Sequence, residues 1–153
     1  MKANKPEVWL RGKVEGVPNL LQPAAHALLQ SCEEVEKYMK DFPEELLWEK
    51  PAGRASVGFH LQHLTGVIDR MLTYAKAEKL SEIQFQYLKN EGKPDQEISP
   101  AFLVKNFQEK VNEAIDFLKD TPEKKLTEYR PVGRKELPST VIGLLFHAAE
   151  HSQ

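Results

Sequence analysis

The chain has a single cysteine, Cys32, among 153 residues, so no disulfide can form within it. Taken alone, Cys32 suits a small apolar position of a helix better than a nucleophile. There is no apolar run near the ~18 residues a membrane helix needs. Met1-Lys2-Ala3-Asn4-Lys5 leads into polar sequence and not into a signal core. Those two absences set the expectation of a cytoplasmic protein with no membrane partner. An excess of basic charge is also lacking: the formal net charge is −2, and Lys124-Lys125 is too short to make a basic face. Nucleic acid is therefore not an expected partner. The eight glycines are scattered and form no phosphate- or dinucleotide-binding motif. What remains is ordinary globular composition, 41% hydrophobic and 29% charged, in one domain long enough to bury roughly 68–70% of its unfolded surface.

The apolar pattern is helical. Residues 1–23 carry Gly12, Gly16, Pro18 and Pro23 and read as an irregular segment, with the folded bundle expected over 24–153. Ala25, Leu28, Leu29, Cys32, Val35 and Met39 follow the 3.6-residue period and predict a first helix over about 24–41, ended by Asp41-Phe42-Pro43. Ser56 is a good N-cap for a second helix with Val57, Leu61, Leu64, Ile68, Met71, Leu72 and Ala75 on one stripe. Ser81 caps a short helix closed by Gly92 and Pro94. Ser99 and Pro100 open the third long helix, through Leu118. A long connection with Pro131, Gly133 and Pro138 follows, and Ser139 is the expected cap of the last helix. Val141, Ile142 and Phe146 are individually poor helix formers, yet the length favours helix, and no convincing strand pair is apparent. The expectation is an all-α four-helix bundle.

Four of the five histidines fall into two helical pairs, His60 with His63 and His147 with His151. An i, i+4 pair lies one turn apart on one face, so both imidazoles can reach one ion. Neutral imidazole suits borderline divalent metals, and bundles build such sites from facing helices. His63, His147 and His151 sit toward the edges of their apolar arcs, as a site open to a cleft requires. His60 lies nearer the middle of its arc, as a residue supporting a ligand, or a plain core residue, would. A weak echo, Pro51-Ala52-Gly53-Arg54 before the second helix and Pro131-Val132-Gly133-Arg134 before the last, is compatible with a pseudo-twofold that brings these histidines together. A lone histidine is normally structural, and His26 is read so; the paired spacing favours a metal. Glu150 points about 100° from its neighbour His151 and reads as a solvated carboxylate. Arg70 lies two turns beyond His63 on the same face and reads as part of a surface ion pair.

Gly58-Phe59-His60-Leu61-Gln62-His63-Leu64, taken with Phe146-His147-Ala148-Ala149-Glu150-His151, resembles the DinB-like superfamily from about Pro18 onward. The resemblance implies an up-down-down-up four-helix bundle, often a homodimer, with three histidines holding a divalent metal, usually nickel or zinc. One ligand would be His63 and two would come from the H-x3-H of the last helix, His147 and His151. Family members commonly carry a further histidine one turn later, followed by Gly-Gln. Two ligand sets thus stay open, His147 with His151 or His151 with a residue beyond Gln153, and the last helix is expected to be cut short. The implied activities are metal-dependent hydrolysis or thiol S-transfer on a small molecule, with a thiol among the substrates and no catalytic residue assigned. The alternative is a non-catalytic stress or interaction bundle without a functional metal.

Overall fold

Serine and proline set most helix boundaries, because an N-cap oxygen satisfies an otherwise orphaned N–H and proline is tolerated only in a first turn. The computed structural model describes residues 5–153. Helix α1, Gln22–Met39, has Pro23 in its first turn. In α2, Val57–Ala75, Ser56 Oγ accepts from Phe59 N at 3.1 Å. The short α3, Glu82–Asn90, opens with a complete capping box between Ser81 and Gln84. Helix α4, Pro100–Asp120, is capped by Ser99, and α5 spans Val141–Ser152. The cap of α5 is Thr140, whose Oγ1 accepts from Gly143 N at 3.1 Å, and not Ser139 as the sequence suggested.

Ser139 is instead part of a strand. Tyr129–Val132 (β1) pairs antiparallel with Leu137–Thr140 (β2), which corrects the expectation of a strand-free chain. Two prolines hid the hairpin, because proline within a run argues against a strand. Pro131 lies opposite Pro138, and this pair demands no backbone donor only if it occupies a non-hydrogen-bonded site of the ladder. Gly133 and Glu136 turn the chain between the strands with φ of 71° and 49°. Arg130 Nε then donates to Ala75 O at 2.8 Å, so the hairpin satisfies a carbonyl at the C-terminal end of α2.

The four long helices form a square in which α1 and α2 each pack on both α4 and α5. Their directions follow from what meets at each end. Leu61 near the start of α2 packs with Leu103 near the start of α4, and Ala75 and Phe117 near their ends line one cleft, so α2 and α4 are parallel. Met39 at the end of α1 lies beside Ala101 and Val104 at the start of α4, so α1 is antiparallel to α4. His63 early in α2 meets His151 late in α5, so these two are antiparallel. The result is the expected up-down-down-up order. Leu28, Ile68, Phe107, Val111, Leu118 and Leu145 are among the core, with Phe107 at 0% exposure. A smaller cluster of Leu47, Leu61 and Leu103 closes the end where α2 and α4 begin. There Gly58 lies under the Trp48 ring, where a Cβ would come within 2.4 Å of the indole. Among the described residues no helix is long and apolar enough to cross a membrane.

The N-terminal segment is more ordered than its composition suggested. Short 3-10 turns at Val8–Arg11 and Asn19–Leu21 bury Val8 and Leu21. The Gln22 side chain bonds the backbone of Val14 and Val17, and Arg11 grips Glu33 with two bonds of 2.6 and 2.9 Å. His26 is structural here, its Nε2 lying 2.9 Å from Gly12 O. The expected echo of Pro51-Gly53 and Pro131-Gly133 does not extend to conformation, since the first is a 3-10 turn and the second enters a hairpin. Phe107→Ala should cost about 3–5 kcal/mol through the cavity it leaves; the denaturant midpoint in a chemical unfolding curve measures it.

Candidate metal centre

The side chain of His63 leaves the second turn of α2 on the flank facing α5. His147 and His151 leave the last turns of α5 on the flank facing α2. The fold brings the three together. The rings of His63 and His151 are 4.9 Å apart centre to centre and edge-on at 68°, and those of His147 and His151 are 5.2 Å apart at 79°. Phe59, one turn before His63, stacks on its ring at 5.1 Å and 13°. Among the described residues, no three His, Cys, Asp or Glu donors stand close enough to hold an ion in this arrangement. The rings are gathered, packed edge to face, and their nitrogens are not converged.

His63's helical partner, His60, does not join them. His60 is exposed and meets the edge of the Phe59 ring at 5.5 Å. Its expected place near the middle of the apolar arc is thereby corrected, because no neighbouring rod covers that flank. Glu150 is exposed, as expected, but it engages the site: its Oε1 lies 3.1 Å from His147 Nδ1, one turn back along α5. Cys32 is half-buried in α1, where burial and then the charges of Glu36 and Glu33 push its thiol pKa up, away from reactivity.

The strongest polar contact of the site was not foreseen. Glu91, which follows α3, sends a carboxylate with only 3% of its side-chain surface exposed to within 2.7 Å of His63 Nδ1. The other oxygen accepts from Arg70 Nη1 at 2.8 Å, and the Arg70 side chain is itself only 9% exposed. Arg70 is thus a buried partner of Glu91 and not the surface ion pair the sequence suggested. Removing either member of such a buried pair strands a charge, at a cost of about 3–5 kcal/mol. Space for the pair comes from Gly66, midway along α2. A Cβ there would lie 2.4 Å from Glu91 Oε1, 2.7 Å from Arg70 Nη1 and 2.9 Å from the Tyr87 ring. The Tyr87 hydroxyl donates to Gln62 O at 3.0 Å. Burial, and next the nearby Glu91 charge, push its pKa up to about 12. No sequence signal separated Glu91 from the other acidic residues, since it lies 28 residues beyond His63 at the end of a mostly polar helix.

A family model for the DinB superfamily matches residues 27–153. The chain belongs to the DinB superfamily. That match runs from within α1 to the end of α5 and takes in both halves of the histidine cluster. No curated protein matches the chain. The DinB superfamily is generally associated with metals.

Helix propensity alone would make Gly66→Ala stabilising by about 1 kcal/mol. The overlap with a buried, bonded pair reverses the sign, and a loss of about 1–3 kcal/mol is expected. A lowered denaturant midpoint, with faster amide exchange confined to α3 and residues 91–92, checks this.

Proposed function

We propose that His63, His147 and His151 hold a divalent metal ion, nickel or zinc, and that the protein is a metal-dependent enzyme acting on a small molecule. The observation that carries this is the gathering of imidazoles from two different rods, α2 and α5, into one ring-to-ring cluster. The donor set fits the ion: imidazoles are the usual ligands of such metals, and His63 Nδ1 is already engaged by Glu91, leaving Nε2 for an ion. His147 and His151 are both exposed, which leaves their rings room to turn toward His63. When bound, a divalent ion supplies Lewis acidity that lowers the pKa of a thiol or water.

The chain's own residues complete the setting. The His147 and Glu150 side chains are 47% and 51% exposed, so the cluster opens to solvent and a small substrate can enter. Phe59, stacked on His63, gives the approach an apolar border. A substrate pairing a thiol or hydrolysable group with an apolar portion suits that border. Thiol S-transfer and hydrolysis are the two reactions this setting supports. Homodimerisation belongs to the same proposal, and sedimentation equilibrium of the purified protein measures it.

Metal content is the direct test. Purified full chain should carry or take up close to one nickel or zinc per chain. Free metal at 100 times Kd should stabilise the fold by about 2.7 kcal/mol, read as a raised melting temperature that chelator reverses. His63→Ala and His151→Ala should each abolish the shift. A melting curve indifferent to zinc, nickel and chelator would overturn the proposal in favour of a non-catalytic bundle.

A further inference from the structure

We propose that Glu91 and Arg70 are positioning residues that decide which nitrogen of His63 faces His151, and that α3 serves to deliver Glu91 to that task. This rests on the metal reading of the histidine cluster. A carboxylate can only accept, so the 2.7 Å contact places a proton on His63 Nδ1 and leaves the Nε2 lone pair for a ligand. A metal needs that tautomer, and a hydrogen bond to the distal nitrogen is the usual means of holding it. Arg70 has a second part. Its guanidinium donates and never accepts, so it occupies Glu91 Oε1 and reserves Oε2 for the imidazole. A carboxylate with both oxygens free would compete for the ion itself. Tethered and neutralised, Glu91 acts through His63.

The build of α3 supports this role. None of its nine residues is buried, and its main packing partner is α2, so it adds little to the core. What joins it to α2 is polar. Gln84 donates to Asp69 and Thr73, both at 2.7 Å. Beyond Tyr87 and Gln62, Gly92 N donates to Gln62 Oε1 at 2.7 Å. These bonds bracket Glu91 and aim a residue just past the helix into the one place where Gly66 leaves room. Around the His63 ring the polar and charged neighbours are Glu91 with Arg70 behind it, and His151 across the groove. No other carboxylate among the described residues bonds His63.

The test uses the full chain with zinc as probe and nitrogen NMR of the histidine side chains at pH 8, above the ordinary imidazole range. In metal-free wild type, His63 should show the Nδ1–H tautomer; an Nε2–H signal overturns the proposal without any variant. Glu91→Gln should invert it. Arg70 would claim the amide oxygen, so the amide nitrogen would face His63 Nδ1 and force the proton to Nε2. Zinc affinity by calorimetry should then fall about 10–100-fold. Adding Arg70→Met lets the amide flip, and the double variant should recover part of both the tautomer and the affinity. Glu91→Gln binding zinc as tightly as wild type, or losing affinity with the Nδ1–H tautomer retained, overturns the proposal and leaves the metal site standing. Wild type that takes up no zinc overturns the metal reading and this proposal together.

Discussion

A carboxylate almost sealed from water persists only where its charge is answered, and the arrangement around Glu91 does so from two sides. Arg70 answers the charge and His63 takes the remaining oxygen. Taking two ions out of water costs several kcal/mol each, recovered only when every oxygen and N–H finds a partner at good distance. That demand propagates outward. It requires a residue without a side chain at Gly66, because any Cβ would occupy the same space as the pair. It also keeps α3 on one flank of α2, so that the other flank is left to α5 and its histidines. One helix thus faces the apolar core with Ile68 and Leu72 and holds a polar pair against α3.

The histidine cluster has the opposite character. Its members lie in the groove between α2 and α5, partly exposed and packed by their edges. Core packing fixes the two rods, and on α5 the His147 Nδ1 lies 3.1 Å from Glu150 Oε1.

Much of the architecture was legible from pattern. Ser56, Ser81 and Ser99 cap the helices they were expected to cap, because their hydroxyls satisfy N–H groups a few residues away in the chain. The stripes of α1, α2 and α4 face the core, since burial at a 3.6-residue period depends only on local order. Short-range rules failed where two segments decide together. The hairpin of residues 129–140 carries prolines that are tolerated because both of its strands are edges, and that pairing is visible only once the turn has formed. Ser139 lost its capping role to Thr140 for the same reason.

The three histidines were nameable from helix phase and family resemblance, while their surroundings were not. An angle on a helix says which way a side chain leaves its axis, not which neighbour waits there. His60 thus came out in solvent and Arg70 in a buried pair, against expectation. Glu91 had no distinguishing mark in the chain, because burial of a carboxylate depends on what two other helices place around it. By itself the amino-acid order determined the long helices, most of their caps and the DinB family. Tertiary packing alone decided which charges lost their water and which residues meet around the His63 ring, because desolvation depends on all neighbours in space at once.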